Sequence, residues 1–297
     1  MDRHCGYVTL VGAPNVGKST LLNALVGVKL SIVSPKPQTT RKRVVGVRIE
    51  GNYQVIFLDT PGIIDPKYEL HKLMMQYVDY AIVEADIIGF MIDVVTHKNP
   101  KEIITNALEE KLKSTGKPLI LVLNKIDLLE NTKMVLPIID SYAKIELFKE
   151  YVPISAAKLA GIDELLKVLV QYLPKGEFLY DEEILSTQND RFFVAELIRE
   201  KLFKMYREEI PYSIEVQIVE FLERQKGKWY INAEIIVEKE TQKPIILGAG
   251  GSRIKKLGEV ARKDIEAHLG QQVYLELFVK VRKNWRNNKS ILKFFGY

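Results

Sequence analysis

Gly12-Ala13-Pro14-Asn15-Val16-Gly17-Lys18-Ser19 follows a short apolar run, Tyr7 to Val11, and leads into Thr20-Leu21-Leu22-Asn23-Ala24-Leu25. This is the pattern GxxxxGK[ST] set between a strand and a helix, the context that gives it meaning. Gly12 and Gly17 permit a tight backbone whose successive N–H groups turn inward around phosphate oxygens. The helix starting near Gly17 adds its positive end at the same place. Lys18 can reach the β- and γ-phosphates, and the Ser19 hydroxyl can ligate Mg²⁺. Asn15, Val16, Gly17 and Thr20 complete the loop's candidate nucleotide contacts. A glycine turn that matches by chance is the competing reading, and the flanking strand and helix argue against it.

Outward from this loop, the first half alternates strand-like and helix-like stretches, as in a sheet flanked by helices. Strands are expected at Tyr7–Val11, Val44–Glu50, Tyr53–Leu58, Ile87–Ile92, Leu119–Leu123 and Tyr151–Ile154. Helices are expected around 69–83, 101–113, 134–148 and 162–172. The polar segment Ser31 to Arg43 reads as a mobile loop. Leu173-Pro174-Lys175-Gly176, running into Asp181-Glu182-Glu183, reads as a linker. The expected division is therefore a nucleotide-binding domain over 1–173, a linker over 174–190 and a second domain over 191–297.

At 297 residues the chain can build two substantial cores. Its 47% hydrophobic and 27% charged residues are ordinary for a soluble globular protein. No apolar run approaches a membrane span and no signal peptide is recognisable, so a cytoplasmic location is expected. The single cysteine, Cys5, excludes an intramolecular disulfide framework, and the four histidines show no zinc-type spacing. The net charge of +5 is uneven. From Asp190 onward there are 21 Lys and Arg against 15 Asp and Glu, leaving 22 against 23 before it. A basic third attached to a neutral nucleotide-binding domain points to a polyanion partner.

Three further motifs follow in order. Asp59-Thr60-Pro61-Gly62 closes a strand, where the carboxylate can hold Mg²⁺ through water and the Gly62 N–H can face a γ-phosphate. Asn124-Lys125-Ile126-Asp127 closes another; Asp127 can accept hydrogen bonds from guanine N1–H and its exocyclic amine, which adenine cannot supply. Ser155-Ala156-Ala157-Lys158 follows the last strand, where the Ala156 N–H can meet guanine O6. Each motif alone is weak, but together they sit at strand carboxyl ends, where open α/β sheets bind ligands.

This ordered set resembles the translation-factor class of GTPases over residues 5–173. The resemblance implies a P-loop domain with a mixed, mostly parallel six-stranded sheet. It also implies a switch threonine on Mg²⁺; Thr39 and Thr40 are both candidates, with Thr40 favoured by its place before Arg41. Lys18, Thr40 and Gly62 would then form the catalytic group, and Ser19, Thr40 and Asp59 the metal set. Ile63 stands where Ras-like proteins carry a water-orienting glutamine, so hydrolysis must use another group and be slow unaided. In relatives with such a substitution, an asparagine at the position of Asn15 helps bind K⁺; a loop-bracing amide is the alternative.

Beyond the linker, Phe192–Met205 has helical spacing, and Tyr212–Ile218, Trp229–Val237 and Val273–Val281 alternate as half-buried strands. Gly248-Ala249-Gly250-Gly251 lies between two expected helices, with Arg253, Lys255 and Lys256 close behind. This α+β pattern resembles a type II (prokaryotic) KH domain, in which glycines admit a single strand's sugar-phosphate backbone. Lys280, Arg282 and Lys283, in a basic C-terminal tail, join the candidate RNA contacts. One P-loop, Ile63, Gln38-Thr39-Thr40-Arg41 and a GxxG unit together resemble the Era family of GTPases. That resemblance implies a bacterial, monomeric GTPase binding GTP and GDP, and the 3′ end of 16S ribosomal RNA. Through these it would help mature the 30S subunit, with peripheral association on the inner membrane. The competing readings are an RNA-binding module with a structural, non-hydrolysing nucleotide site, an ATP-dependent kinase or ATPase, and a membrane-coat GTPase. Asp127 argues against the second and the KH pattern against the third.

Overall fold

The computed structural model describes residues 2–297; Met1, first residue of the expected nucleotide-binding domain, lies outside them. The chain forms two compact units. The first comprises residues up to 31, 40–65 and 74–187, and the second comprises 32–39, 66–73 and 188–297.

The first unit is built on six strands: β1 (His4–Gly12), β2 (Val44–Glu50), β3 (Tyr53–Asp59), β4 (Ile87–Asp93), β5 (Leu119–Asn124) and β6 (Glu150–Pro153). Their order in the sheet is β2-β3-β1-β4-β5-β6. Only β2 and β3 are antiparallel, joined through the tight turn at Gly51-Asn52. Every residue of β4 and β5 is buried, as befits central parallel strands covered on both faces. Five helices flank the sheet: α1 (Lys18–Val26), α2 (Glu69–Glu84), α3 (Asn106–Ser114), α4 (Val135–Ala143) and α5 (Ile162–Gln171). Val78, Ile82, Leu112, Ile138 and Tyr142 of α2, α3 and α4 share one core with Phe90, Ile92, Leu121 and Leu123 of the sheet. This is the mixed, mostly parallel sheet with flanking helices that the sequence leads one to expect.

Two expected helices are shorter than their apolar spacing indicates. Pro100–Glu102 forms a separate 3₁₀ turn capped by Asn99, and α3 begins afresh at the Thr105 N-cap, whose hydroxyl accepts from Leu108 N. After Ala143 the apolar residues Leu147 and Phe148 are buried in the connection to β6 rather than in a helix. The segment read as a linker is fastened to the first unit. Gln54 Oε1 accepts from Leu179 N at 2.8 Å and Gln54 Nε2 donates to Tyr180 O at 2.7 Å. Phe178 and Tyr180 pack against Val45, Val47, Ile56 and Leu58, closing part of a sheet face.

In the second unit the order is α6 (Asp190–Met205), β7 (Glu215–Leu222), β8 (Trp229–Val237), α7 (Gln242–Leu247), α8 (Ser252–Leu269), β9 (Val273–Val281) and α9 (Lys289–Phe294). β7 and β8 are antiparallel, and β8 and β9 parallel. Alternate residues Ile231, Ala233 and Ile235 of β8 pack with Leu197, Ile198 and Leu202 of α6 and Leu257, Ala261 and Ile265 of α8. This is the helix-strand-strand-helix-helix-strand arrangement of a type II KH domain. Strand β7 starts at Glu215 instead of Tyr212, because Ser213 N bonds back to Glu209 O in a turn. The basic C-terminal segment is folded, not loose: Trp285 is fully buried and its indole N–H donates to Ser213 O at 3.0 Å.

Candidate functional site

Strand β1 delivers the chain into the phosphate-binding loop at Gly12, and α1 leaves it at Lys18. The two motif glycines are sterically required. Gly12 has φ +151° and Gly17 φ +103°; a Cβ at the first would fall 2.2 Å from Met91 O, and at the second 2.3 Å from Asn124 Nδ2. Asn15, exposed, holds a left-handed φ of 63° at the loop's tip. Lys18 is buried, and its ammonium donates to the Gly12 and Ala13 carbonyls at 3.1 and 2.9 Å. Burial pushes its pKa down to about 8, with the Asp59 charge opposing. A phosphate anion would relieve that strain.

At the next turn of the site, three oxygen-bearing side chains converge. Ser19 Oγ donates to Asp59 Oδ2 at 2.7 Å and lies 2.7 Å from Thr40 Oγ1. Ser31 Oγ also donates to Asp59 Oδ2, at 2.9 Å, a contact without a motif to announce it. Burial raises the Asp59 carboxyl's pKa against the opposing Ser19 hydroxyl, the Lys18 charge, and the Ser31 and Thr40 hydroxyls. Its other oxygen, Oδ1, is buried and accepts no hydrogen bond. A buried carboxylate oxygen left without a donor, beside two hydroxyls, suits a hard divalent cation such as Mg²⁺. Of the two candidate threonines, Thr40 reaches this cluster; the Thr39 hydroxyl instead donates to Lys36 O at 2.7 Å. Gly62 is buried against Pro14, while the Ile63 N–H donates to Gly12 O at 3.0 Å and its side chain packs on the core.

The base-recognition motifs meet at the ends of β5 and β6. Asn124 braces three loops: Nδ2 donates to Val16 O at 2.7 Å and Oδ1 accepts from Ala156 N at 3.0 Å. That bond occupies the N–H expected to meet guanine O6. Ser155 Oγ donates to Asp127 Oδ1 at 2.5 Å, fixing an otherwise exposed carboxylate. Ala157 is exposed beside it. Lys125 adopts a left-handed φ of 71°, and its ammonium lies 2.7 Å from Asp93 Oδ2. Burial opposes ionisation of Asp93, yet the Lys125 bond and charge keep its carboxyl below the usual range. Asp93 was not foreseen; its only signal is its place at the carboxyl end of β4, beside the other motifs.

Two short segments of the first half belong to the second unit, and α6 holds one of them. Arg199, 1% exposed, donates through Nη2 to the Thr39 carbonyl and pairs with Glu196. Glu200, also 1% exposed, accepts from Val33 N at 3.2 Å. Lys36 reaches the end of α6 and donates to the Phe203 and Tyr206 carbonyls, a capping contact on orphan acceptors. Gln38 Oε1 lies 3.1 Å from His71 Nε2 of the 66–73 segment, where the Tyr68 ring lies 4.8 Å from the Arg286 guanidinium. Residues on all sides of α6 are thereby buried, which is why it carries two charged side chains with almost no exposure.

In the GxxG loop, Gly248 ends α7, a 3₁₀ turn spans Ala249–Gly251, and α8 begins at Ser252. Ala249 and Gly250 are exposed, and Arg253, Lys255 and Lys256 occupy the first turns of α8. Lys255, Gly258, Glu259, Arg262 and Leu277 line a groove of about 310 Å³ between α8 and the edge strand β9, with Tyr274 at its rim where the sheet's other face begins. Arg282 and Lys283 follow β9. Lys280 lies on the opposite face of the sheet, 2.6 Å from Glu234.

Comparison with known proteins agrees with the two-domain composition. The family profile described as 50S ribosome-binding GTPase matches residues 7–125, and the KH domain profile matches residues 209–286. GTPase Era of Clostridium botulinum (strain Hall) is 44% identical over 293 residues, covering 98% of this chain and 97% of the relative. GTPase Era of Aquifex aeolicus is 46% identical over 298 residues, covering 98% of each. A crystal structure of Era in complex with MgGDPNP and nucleotides 1506–1542 of 16S ribosomal RNA superposes with a TM-score of 0.94 at 46% identity, over 99% of both chains. A variant of Aquifex aeolicus Era bound to GDP·AlF4⁻ superposes equally well. With the nucleotide motifs and the GxxG unit in one chain, and agreement running through nearly its whole length, this protein belongs to the Era family of GTPases.

Proposed function

We propose that this GTPase is a slow molecular switch that binds the 3′-end region of 16S ribosomal RNA through its KH domain and assists maturation of the 30S subunit. One observation carries the reading. Thr40, whose hydroxyl stands 2.7 Å from Ser19 Oγ beside Asp59, is one peptide bond from Thr39, whose carbonyl Arg199 of α6 holds. A change at the γ-phosphate end of the site therefore acts on a segment that belongs with the RNA-binding unit.

In this reading the loop N–H groups and Lys18 bind the β- and γ-phosphates. Ser19, Thr40 and Asp59 would hold Mg²⁺, which supplies charge neutralisation as the terminal phosphoryl leaves. Water attacks the γ-phosphorus, the bond to the GDP oxygen breaks, and inorganic phosphate departs. Gly62 N–H steadies the equatorial charge. Asp127, oriented by Ser155, accepts from guanine, while Lys125, anchored by Asp93, lies over the base. Ile63 offers the attacking water no polar group, so unaided turnover is slow; we assign Asn15 a share in binding K⁺ beside the phosphates. In the KH unit, Gly248–Gly251 admits the RNA backbone, and Arg253, Lys255 and Lys256 contact phosphates, with Arg282 and Lys283 extending the basic surface. Lys280 lies apart from this set, on the sheet's other face beside Glu234, and contributes least to it.

The chain would act as a monomer in the cytoplasm. No helix among the described residues is long and apolar enough to cross a membrane, and the membrane association assigned to the chain is peripheral. Competition of GTP and ATP for the wild-type site, with turnover of each, tests the nucleotide half. GTP should bind selectively and be hydrolysed. Equal competition by ATP, or binding of GTP with no turnover at all, would overturn it.

A further inference from the structure

The KH sheet has a second face. Helices α6 and α8 cover one side. On the other, the register places Glu220, Asn232 and Glu276 in one row across β7, β8 and β9, and Tyr230 beside Tyr274 in the next. One end of this face is closed: Ile236 is 2% exposed, and Tyr297 OH donates to Glu215 at 2.6 Å. The rest is open, with Tyr274 54% and Phe278 48% exposed.

The open part carries two carboxylates, Glu220 and Glu276, on either side of the Asn232 amide. The Glu276 carboxylate accepts from Tyr230 OH at 2.6 Å and Tyr274 OH at 3.4 Å, and the two rings stack with centroids 6.1 Å apart and planes 16° apart. Asn232 Oδ1 is buried and accepts nothing. Lys280 is paired with Glu234 and, with Lys243 and Arg282, surrounds Phe278 at one end; the acidic part is the Glu220, Asn232 and Glu276 row beside the tyrosine pair. Carboxylates beside tyrosine rings repel phosphate. They suit a guanidinium, which can fork onto a carboxylate and stack on an aromatic face. Nucleic acid is thus directed to the GxxG side of the same unit, where Arg253, Lys255 and Lys256 stand.

We propose that this acidic, tyrosine-bearing face docks an arginine-rich segment of a partner protein. The row supplies the spacing. Glu220 and Glu276 sit on outer strands about 10 Å apart, and arginines at alternate positions of an extended segment lie about 7 Å apart, within reach of both carboxylates.

The test is a titration of the full-length, GDP-bound protein with a fluorescein-labelled peptide of alternating arginine and serine. A glutamate–serine peptide and a 16S 3′-end RNA oligonucleotide are run beside it. Glu220→Gln with Glu276→Gln keeps shape and removes charge; it should weaken the arginine peptide about tenfold or more and leave RNA affinity unchanged. Lys280→Glu should tighten the peptide. The glutamate peptide should not bind. Unchanged peptide affinity in both variants would overturn the proposal, as would loss of RNA binding in place of peptide binding. Sedimentation of the same samples adds a third arm: a wild-type dimer abolished by the double variant would show that a second copy occupies this face, and the proposal would fall. An unchanged urea transition followed by tryptophan fluorescence, which reads the unit that carries the substitutions, confirms that both variants are folded.

Discussion

Replacing Lys18 with methionine is expected to stabilise the nucleotide-free protein while removing its affinity for GTP. The ammonium is buried against two carbonyls, and burial lowers its pKa from 10.5 to about 8. That difference corresponds to roughly 3 kcal/mol by which the fold disfavours the charged group at neutral pH. The sign is definite. Between the folded and unfolded pKa values the unfolded chain binds more protons, so stability rises with pH across that window. Below the folded value both states are protonated and the full cost stands. From about pH 7 to about pH 9, wild type should regain about 1 kcal/mol that the methionine variant never lost. Methionine has a similar volume but leaves the Gly12 and Ala13 carbonyls without a donor, which costs about 1 kcal/mol apiece where water cannot replace it. The net gain at neutral pH is therefore about 1–2 kcal/mol. Urea unfolding followed by far-UV circular dichroism reads it in the transition that GDP shifts. Tryptophan fluorescence separates the other transition, because Trp229 and Trp285 both belong to the second unit. A variant less stable than wild type, by a margin that does not change with pH, would refute the reasoning.

Three further outcomes test other parts of the site. Asp127→Asn should weaken GTP and gain xanthosine nucleotides, whose 2-oxo group accepts what the amide donates; nucleotide competition reads both. Ile63→Ala should leave hydrolysis within about tenfold, roughly 1.4 kcal/mol of barrier, whereas replacing K⁺ with Na⁺ should slow it more; equal rates in the two salts would remove Asn15 from the mechanism. Arg199→Met should leave GTP binding intact but shrink the ratio of RNA affinities between GTP-analogue and GDP states, because the Thr39 carbonyl loses its tie to α6; an unchanged ratio would remove that contact from the coupling.

The legible parts of this chain are those whose physics is local. Each strand of the first sheet is a short apolar run bounded by turn residues, and each motif occupies the end of one. The phosphate loop could be read because Gly12 and Gly17 are demanded by backbone geometry that only their own neighbourhood sets. What escaped depends on distant partners. Phe178 and Tyr180 look like linker residues until Gln54 and the face of β2 and β3 are beside them. Arg199 and Glu200 look like the solvated side of a helix until segment 32–39 covers that side. Lys280 reads as one more basic tail residue, since nothing in sequence places Glu234 next to it. Trp285, Leu292 and Phe295 did offer a signal, large apolar residues inside a basic stretch, and they fold the C-terminal segment onto the sheet.

The most direct measurement is the affinity of a 16S 3′-end RNA oligonucleotide for wild type and for Ala249→Asp with Gly250→Asp, each with a GTP analogue and with GDP. Both positions are exposed, and a Cβ at Gly250 meets nothing within 4 Å. Its φ of +55° costs an aspartate about 1–2 kcal/mol at most, so the fold and GTP affinity should survive. Two carboxylates where phosphates must approach should weaken RNA by about a hundredfold or more. Lys255→Ala, in contrast, should weaken it modestly and flatten the salt slope by about 0.7, one phosphate contact on a single strand. Wild type should bind RNA more tightly with the GTP analogue than with GDP, and RNA should tighten the analogue by the same factor. Undiminished RNA binding by the double-aspartate variant would contradict the KH interface, and equal wild-type affinity in the two nucleotide states would contradict the switch.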